Sequence, residues 1–249
     1  MRRINSDFRT RFLSEEGQKL ANRDYFGYVE MDDFACYVLA DSLDGETASN
    51  SAQLVVESLI RSFGEHPTLR KGRLNRYIQE AHRELRKMRG GMHLKASVIL
   101  AVTDYRKLRC CHVGNSRLYL LRNARFLLKT RDQSLTRNPL DEEKIPLDAA
   151  ASHEERNNLY SFLGGREKPK PIISKKLRLE DGDILELMTR GVWENCTDEE
   201  LLEIAKDAKE PDEVLNKAED LILGRQEEHA IDNYSLAVTF VDKIYRSPK

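Results

Sequence analysis

The stretch CYVLADS at residues 36–42 constrains the chain most, because an apolar run typical of a strand ends there in an aspartate. The turn-forming sequence LDGETAS follows at once. A carboxylate at the end of a buried strand, next to a glycine-containing turn, is a usual position for holding a metal ion or a phosphate-bound water. Asp41 is therefore the first candidate for a functional site. On this stretch alone, an equally good interpretation is that Asp41 caps a helix that starts near Thr47.

The length of the chain and its composition, 40% hydrophobic and 33% charged, predict one domain over residues 1–249. A net charge of -1 gives no reason to expect nucleic acid or an anionic membrane as a partner. No apolar run approaches the roughly 20 residues of a membrane span, and the N-terminus lacks the apolar core of a signal peptide. A cytoplasmic protein with no membrane partner is predicted. The four cysteines form no CxxC and are expected to be small core residues.

Two strand patterns near the N-terminus predict a hairpin. Residues 19–31 lead through the acidic turn at 32–33 into the apolar run at 34–41, after a first strand over 6–13. Asp24 and Asp41 lie near the start and the end of this hairpin. Both carboxylates are therefore expected to be able to face one site.

Further along the chain, patterns of helical and strand period alternate in blocks. Helices are predicted over 47–63, 70–89, 153–162, 198–208 and 211–223, with Thr197 and Glu200 as a capping box. Strands are predicted over 94–104, 107–123, 124–130, 171–179, 183–190 and 234–242. Short connections between successive strands favour antiparallel sheets covered by helices, which is an α+β fold.

Five segments, in order between about residues 6 and 242, resemble the motifs of a known enzyme family. They are KLANRD, LADSLDGETAS, HVGNSRLYLLRNARFLLKTRDQSL, LRLEDGDILELMTRGVWENCTDEEL and IDNYSLAV. These are similar to RxxNED, VADGMGG with GExAS, VGDSRxYLxRxGxLxxLTxDHSL, LxxGDxLLLCSDGLWDxLxDEEL and DNxTxxV of the metal-dependent protein phosphatases, the protein phosphatase 2C family. The resemblance implies a four-layer α-β-β-α sandwich with a metal site at one end of the sheets.

The resemblance also implies roles for individual residues. In active members, two manganese or magnesium ions hold a water that attacks phosphoserine or phosphothreonine. Asp41 matches the aspartate that bridges both metals, Asp232 matches another metal ligand, and Ser42 stands where a carbonyl helps to ligate a metal. Asp24 matches the aspartate of the NED triplet and is, with Asp41, a catalytic candidate. Lys19 stands where the family has a phosphate-contacting arginine.

Four positions depart from the family pattern. Arg23 replaces the glutamate of the triplet, Ser42 replaces a glycine, Asn115 replaces the aspartate of GDSR, and Arg190 replaces the metal-binding aspartate of SDG. The acid-to-arginine and acid-to-amide changes make the site about five charge units more positive than the family pattern. Two arginines would repel two divalent ions by several kcal/mol, so normal two-metal binding is disfavoured.

These departures lead to two interpretations of the site. Arg190 can fill a metal position by pairing with Asp41 or Asp232, or Lys19, Arg23 and Arg190 can form a basic pocket that captures a phosphate without cleaving it. A third arrangement, in which Arg190 turns to solvent and another carboxylate substitutes, stays open.

Three functions are consistent with the sequence. The favoured hypothesis is a bacterial pseudophosphatase that binds a phosphorylated protein or another component of a Ser/Thr kinase pathway, with no metal cofactor. The alternative is an active Ser/Thr phosphatase with a reduced manganese or magnesium site, relying on three retained acids, Asp24, Asp41 and Asp232. A weaker option is a protein that uses the fold only for docking.

Overall fold

A computed structural model describes residues 6–44, 50–88, 94–134, 158–227 and 230–244. Its strands are β1 (Ser6–Glu15), β2 (Asp24–Glu30), β3 (Ala35–Ser42), β4 (Ala96–Thr103), β5 (Lys107–Val113), β6 (Arg117–Arg122), β7 (Arg125–Lys129), β8 (Ile172–Ile173), β9 (Leu177–Arg178), β10 (Asp183–Met188) and β11 (Tyr234–Ile244). Its helices are α1 (Ser51–Glu65), α2 (Lys71–Lys87), α3 (Arg190–Trp193), α4 (Asp198–Asp207) and α5 (Pro211–Gly224).

The strands form two antiparallel sheets. The first sheet has the order β1-β11-β10-β6-β7, and the second has the order β2-β3-β4-β5-β8, with β9 also paired to β5. Strand β2 returns directly into β3, which confirms the predicted hairpin. The last strand, β11, lies between β1 and β10, so the two ends of the chain meet in one sheet.

Three layers of apolar side chains hold the sheets and helices together. Helices α1 and α2 pack on the outer face of the second sheet, the two sheets pack face to face, and α4 and α5 cover the first sheet. Full burial of one valine, leucine or isoleucine side chain in these layers stabilises the fold by about 1.5–3 kcal/mol. The α+β class and the four-layer sandwich are confirmed. Fully buried representatives of the three layers are Leu59, Leu74 and Val98; Leu39, Ile99 and Leu187; and Leu201, Ala218 and Leu236.

The prediction of one strand over 107–123 is wrong. The chain leaves the second sheet after β5 and enters the first sheet as β6, so the strand predicted over 107–123 is divided between two sheets. Gly114 makes this crossing possible, because its φ is +100° and a Cβ there would lie 2.6 Å from Ser97 Oγ. The single strand predicted over 171–179 is likewise two short strands, β8 and β9.

The predicted helix over 153–162 is wrong where it can be checked. Residues 153–157 lie outside the described ranges, and residues 158–162 are not helical: Leu159 bridges to Ser134, and residues 160–161 form a bend. Just beyond it, Leu163 bridges to Ala96 at the end of the second sheet. Pairing with existing strands therefore overrides a helical spacing of apolar residues.

The other helices agree with prediction apart from their ends. Helix α1 begins at Ser51 with Asn50 as its cap, whose side chain accepts a hydrogen bond from the Gln53 amide. The interpretation of Asp41 as this helix's cap is therefore wrong. The capping box of α4 is present as predicted, and all four cysteines are buried. None of the helices in the described ranges combines the length and the apolar content needed to cross a lipid bilayer.

Candidate functional site

Asp24 and Asp41 are direct partners across the β2–β3 hairpin. Opposite residues in an antiparallel pair project from the same face, so the two carboxyl groups lie side by side. The hydroxyl of Thr189 donates a 2.6 Å hydrogen bond to Asp24 Oδ2, and that hydroxyl accepts one of 2.9 Å from the Ser235 amide. Asp24 Oδ1 is buried, and it has no hydrogen-bond partner among the described residues.

Burial and mutual repulsion make this carboxyl pair hold a proton. Burial raises the pKa of Asp24 to about 6. Burial, followed by the charge of Asp24, raises the pKa of Asp41 well above its usual range, although Arg190 opposes this. Two adjacent carboxyl groups in a desolvated site cannot both ionise easily. The pair therefore retains at least one proton near neutral pH.

Arg190 lies among four acidic residues, Asp24, Asp41, Glu194 and Asp232, which form an acid cluster. Its Nη2 donates to Asp232 Oδ2, and its Nη1 is 3.8 Å from Glu194 Oε1. Burial would lower the pKa of Arg190, but the carboxylates of Glu194, Asp232 and Asp41 raise it, so the guanidinium stays charged. The side chain is only 22% exposed, so the arrangement in which Arg190 turns to solvent is wrong.

A glycine brings Arg190 to Asp232. Gly191 sits in α3 directly against β11: a Cβ on it would lie 2.1 Å from the Asn233 carbonyl oxygen. Any larger residue would push the start of α3 away from the strand that follows Asp232. The contact between Arg190 and Asp232 therefore depends on backbone packing as well as on charge.

Arg23 and Lys19 also lie next to carboxylates. The Arg23 guanidinium is 3.5 Å from Asp44 in the loop after β3, and its backbone amide donates to Asn233 Oδ1. Lys19 Nζ is 3.7 Å from Asp232 Oδ1, and its side chain is half exposed at the rim. The phosphate-binding role of Lys19, Arg23 and Arg190 stays a prediction.

Ser42 links the end of β3 to the start of α1. Its hydroxyl accepts a 2.9 Å hydrogen bond from the Ala52 amide and donates one of 2.9 Å to Asn50 Oδ1. Neighbouring Ser51 donates to both carboxylate oxygens of Asp44. Through these contacts Ser42 helps to cap the start of α1. The glycine of the family pattern has no hydroxyl and could make neither contact.

Asn115 occupies the crossing between the sheets. Asn115 is buried, its backbone N–H donates to Ser97 Oγ at 3.0 Å, and its backbone carbonyl accepts from Trp193 Nε1 at 2.9 Å. Ser97 is the β4 partner of Asp41, so Asn115 lies close to the carboxyl pair. Trp193 thus packs at this crossing, where the Arg117 guanidinium lies 3.8 Å from the centre of its ring.

Sequence reasoning missed three residues of the site. Thr189 holds Asp24, Asp44 pairs with Arg23, and Glu194 lies beside Arg190. The spacing of Arg190 and Glu194, four residues apart at the start of a helix, was an available signal. No local pattern indicated the other two, because their partners are distant in sequence.

The site as arranged does not fit a two-metal centre. Hard divalent ions such as magnesium are held through one or two ionised carboxylates, with waters completing the coordination. Here Asp232 is already paired with Arg190 and lies 3.7 Å from Lys19, so cations of the chain itself take up its charge. Within the described ranges, no group of three or more His, Cys, Asp or Glu is placed to hold a metal ion.

Comparison with known proteins identifies relatives among bacterial phosphatases. No protein-family model matches the chain. The serine/threonine protein phosphatase PstP of Mycobacterium tuberculosis is 28% identical over 176 residues, which cover 66% of this chain and 33% of PstP. The chain thus spans about a third of the length of PstP. Protein phosphatase PhpP of Streptococcus pneumoniae is 24% identical over 250 residues, covering 93% of this chain and 96% of PhpP.

Solved structures show the same fold. The Streptococcus agalactiae serine/threonine phosphatase superposes with a TM-score of 0.82 at 20% identity, covering 95% of this chain and all of that one. The catalytic domain of PstP in complex with two manganese ions gives a TM-score of 0.78 at 20% identity, and the match covers 95% of this chain and 99% of that domain. The chain is therefore similar in sequence to bacterial serine/threonine protein phosphatases and has the fold of their solved structures.

Proposed function

We propose that this chain is a pseudophosphatase that binds a phosphorylated protein of a Ser/Thr kinase pathway without hydrolysing it. The contact between Arg190 and Asp232 carries the proposal. It puts a permanent positive charge among carboxyl groups that would otherwise attract a divalent ion. The guanidinium supplies both the charge and the hydrogen bonds that a metal would have satisfied.

Electrostatics sets the cost of placing a metal beside Arg190. A divalent ion about 5 Å from a guanidinium is repelled by about 7 kcal/mol at an effective dielectric of about 20. Moving the Arg190 side chain away would remove its contacts with Asp232 and Glu194. With this position filled by the protein, the site lacks the group that would activate a water for hydrolysis.

The identity of the ligand rests on the relatives and on the rim of the site. The relatives named above are serine/threonine protein phosphatases, which favours phosphoserine or phosphothreonine as the group recognised. Lys19 is the most accessible of the three cations, because Arg23 and Arg190 are largely covered. We expect Lys19 to meet the phosphate first, because Arg23 is paired with Asp44 and Arg190 with Asp232.

Binding and hydrolysis by the same purified protein test this proposal. Fluorescence anisotropy should show tighter binding of a phosphothreonine peptide than of its unphosphorylated form. Released phosphate should stay at the level of an Asp41→Ala control with millimolar manganese present. Manganese-dependent phosphate release that Asp41→Ala abolishes would refute the proposal.

A second candidate is an active phosphatase with a reduced metal site. The buried Asp24 Oδ1, without a hydrogen-bond partner among the described residues, favours it, because it lies beside Asp41 and is available to a cation. Calorimetry with manganese decides between the two. Binding that is lost in Asp41→Asn supports the reduced site, whereas absence of both metal and phosphopeptide binding leaves only a docking role.

A further inference from the structure

A cavity of about 370 Å³ lies beside the end of the second sheet, outside the acid cluster. Its walls come from Lys95, just before β4, and from the segment 160–170. Tyr160 and Phe162 supply aromatic rings, and Tyr160 is 46% exposed. The volume is within the range of sites that hold small ligands or single side chains of a partner.

The charge of this cavity contrasts with that of the acid cluster. Lys95, Arg166, Lys168 and Lys170 line it, against one acid, Glu167. None of these four cations has a carboxylate within 4 Å in the parts of the chain that the structure describes. Unmatched cations around a concave surface raise the local concentration of anions.

Hydrogen bonds fix the backbone that carries these cations. Ser161 Oγ accepts from the Lys170 amide at 3.1 Å, and Gln133 Nε2 donates to the Lys170 carbonyl at 2.7 Å. Gln79 on α2 donates to the Pro169 carbonyl at 3.0 Å. The Lys95 ammonium lies 5.3 Å from the centre of the Phe162 ring. The cavity is therefore built on a tethered segment, and its cations have a defined place.

The cavity is joined to the loop that follows Asp41. The Leu43 amide donates to the Lys95 carbonyl at 2.9 Å, and the Lys95 amide donates to Asp44 at 2.5 Å. Lys95 stands two residues before Ser97, the β4 partner of Asp41. At about 3.3 Å per residue, this places Lys95 about 7 Å along the strand from Asp41's partner. An extended peptide of a few residues is long enough to reach from the acid cluster to the cavity.

We infer that this cavity binds anionic side chains of the partner peptide, a few residues from the phosphorylated residue. The inference rests on the proposed function, because it assigns the sequence preference of the same phosphoprotein ligand. The acid cluster matches its cations with carboxylates, so it supplies little net attraction for a phosphate. The cavity has the unmatched positive charge that such a ligand needs. The anionic groups that the cavity would bind are glutamate or aspartate carboxylates, or a second phosphate.

A peptide series measured by fluorescence anisotropy tests this inference. The reference peptide carries one phosphothreonine followed three and four residues later by glutamates. A second peptide replaces both glutamates by glutamine, a third replaces them by one phosphoserine, and a fourth keeps the glutamates but lacks the phosphate. Each is titrated with the wild type, with Lys168→Gln/Lys170→Gln, and with Lys175→Gln/Lys176→Gln. The last variant removes two exposed lysines nearby in sequence that do not line the cavity.

The wild type should bind the reference peptide about fivefold more tightly than the glutamine peptide, as expected for two partly exposed charge contacts. Lys168→Gln/Lys170→Gln should remove this difference, and Lys175→Gln/Lys176→Gln should keep it. The affinity for the phosphoserine peptide, compared with that for the reference peptide, shows whether the cavity prefers a phosphate or two carboxylates. All substituted lysines are exposed, and unchanged thermal unfolding confirms that the variants are folded.

Two results would overturn the inference: equal wild-type affinity for the reference and glutamine peptides, or an equal loss in both lysine variants. Displacement of the peptide by ADP without any effect of the glutamates would also overturn it, in favour of a nucleotide site. Failure of the proposed function has a different signature. In that case the peptide with and without its phosphate would bind equally, whatever the glutamates contribute.

Discussion

Glu186 and Arg190 are four residues apart in sequence, yet their charges have opposite surroundings. Glu186 on β10 is fully buried, and among the described residues neither of its carboxyl oxygens has a hydrogen-bond partner. Its neighbours across the sheet, Tyr119 and Val238, belong to the apolar layer under α4 and α5. Arg190, in contrast, contacts Asp232 and lies near further carboxylates.

The difference shows two ways of neutralising a buried acid. A proton neutralises the isolated carboxyl group, because burial and then the charge of Asp198 raise the pKa of Glu186 to about 8. Where several carboxyl groups converge, a fixed cation neutralises them in addition to a retained proton. Removing the acid at 186 should therefore help the fold, and removing the cation at 190 should harm it.

The largest expected effect is the gain in stability of Glu186→Gln at alkaline pH. The unfolded chain loses the Glu186 proton above about pH 4.5, whereas the folded protein keeps it until about pH 8. The folded state binds more protons in this window, so wild-type stability falls as pH rises, by up to about 1.4 kcal/mol per unit. Glu186→Gln should remove this slope and gain several kcal/mol at pH values above 8.

Urea unfolding at a series of pH values measures this slope. Glu203→Gln, at an exposed position on α4, is the control and should leave the slope unchanged. Parallel stability curves for the wild type and Glu186→Gln would contradict the assignment of a buried neutral carboxyl group.

Arg190→Ala should destabilise the protein by about 2 kcal/mol. Removing one partner of a fully buried ion pair costs about 3–5 kcal/mol, and the value is reduced here because Arg190 is 22% exposed. Manganese should restore part of the loss, because the freed carboxylates can then ionise around a metal. Arg225→Ala is a matched control, since Arg225 pairs with Glu200 and is 25% exposed. If manganese restored the stability of Arg190→Ala and Arg225→Ala equally, the recovery would not come from a metal that takes the place of Arg190.

Ser42→Gly should cost about 1 kcal/mol, the usual net contribution of a side-chain hydrogen bond. The substitution removes the hydrogen bonds to Ala52 and Asn50 and introduces the residue of the family pattern. Ser42→Ala should lose nearly as much, because the hydroxyl makes both contacts. Calorimetry should detect no new manganese binding in either variant. If Ser42→Gly alone gained a metal, Arg190 would not be what limits metal binding.

The smallest stability change is expected for Lys19→Ala. Its ammonium is half exposed and 3.7 Å from Asp232, and such a pair contributes about 0–1 kcal/mol. Affinity for a phosphothreonine peptide should nevertheless fall several-fold, while Lys206→Ala, which removes an exposed pair on α4, should leave it unchanged. Unaltered affinity in Lys19→Ala would exclude this residue from phosphate recognition.

The fold and part of the site were predictable because their signals are local. The hairpin that pairs Asp24 with Asp41 followed from two strand patterns and an acidic turn, and the amphipathic helices followed from their period. The division of 107–123 between two sheets was not predictable, since the strand pattern continues through Gly114. Residues 158–162 are not helical, because Leu159 bridges to Ser134 and the adjacent Leu163 bridges to Ala96, and both partners are distant in sequence.

The partners of Arg23 and Arg190 could not be decided from the sequence either, because they too depend on contacts between distant parts of the chain. One interpretation of the sequence placed Arg23 and Arg190 in a basic pocket with Lys19, and another paired Arg190 with Asp41 or Asp232. In the structure Arg23 pairs with Asp44 and Arg190 pairs with Asp232. The first pairing depends on the path of the loop after β3, and the second on the close approach of Gly191 to β11. Neither feature follows from residue spacing.

Manganese titration by calorimetry, comparing the wild type with Arg23→Glu/Arg190→Asp, tests the central claim most directly. The claim is that positively charged side chains have replaced divalent ions in this site. It predicts no heat of binding for the wild type at millimolar manganese and saturable binding for the double variant, lost again when Asp41→Asn is added. Saturable binding by the wild type that Asp41→Asn abolishes would contradict it.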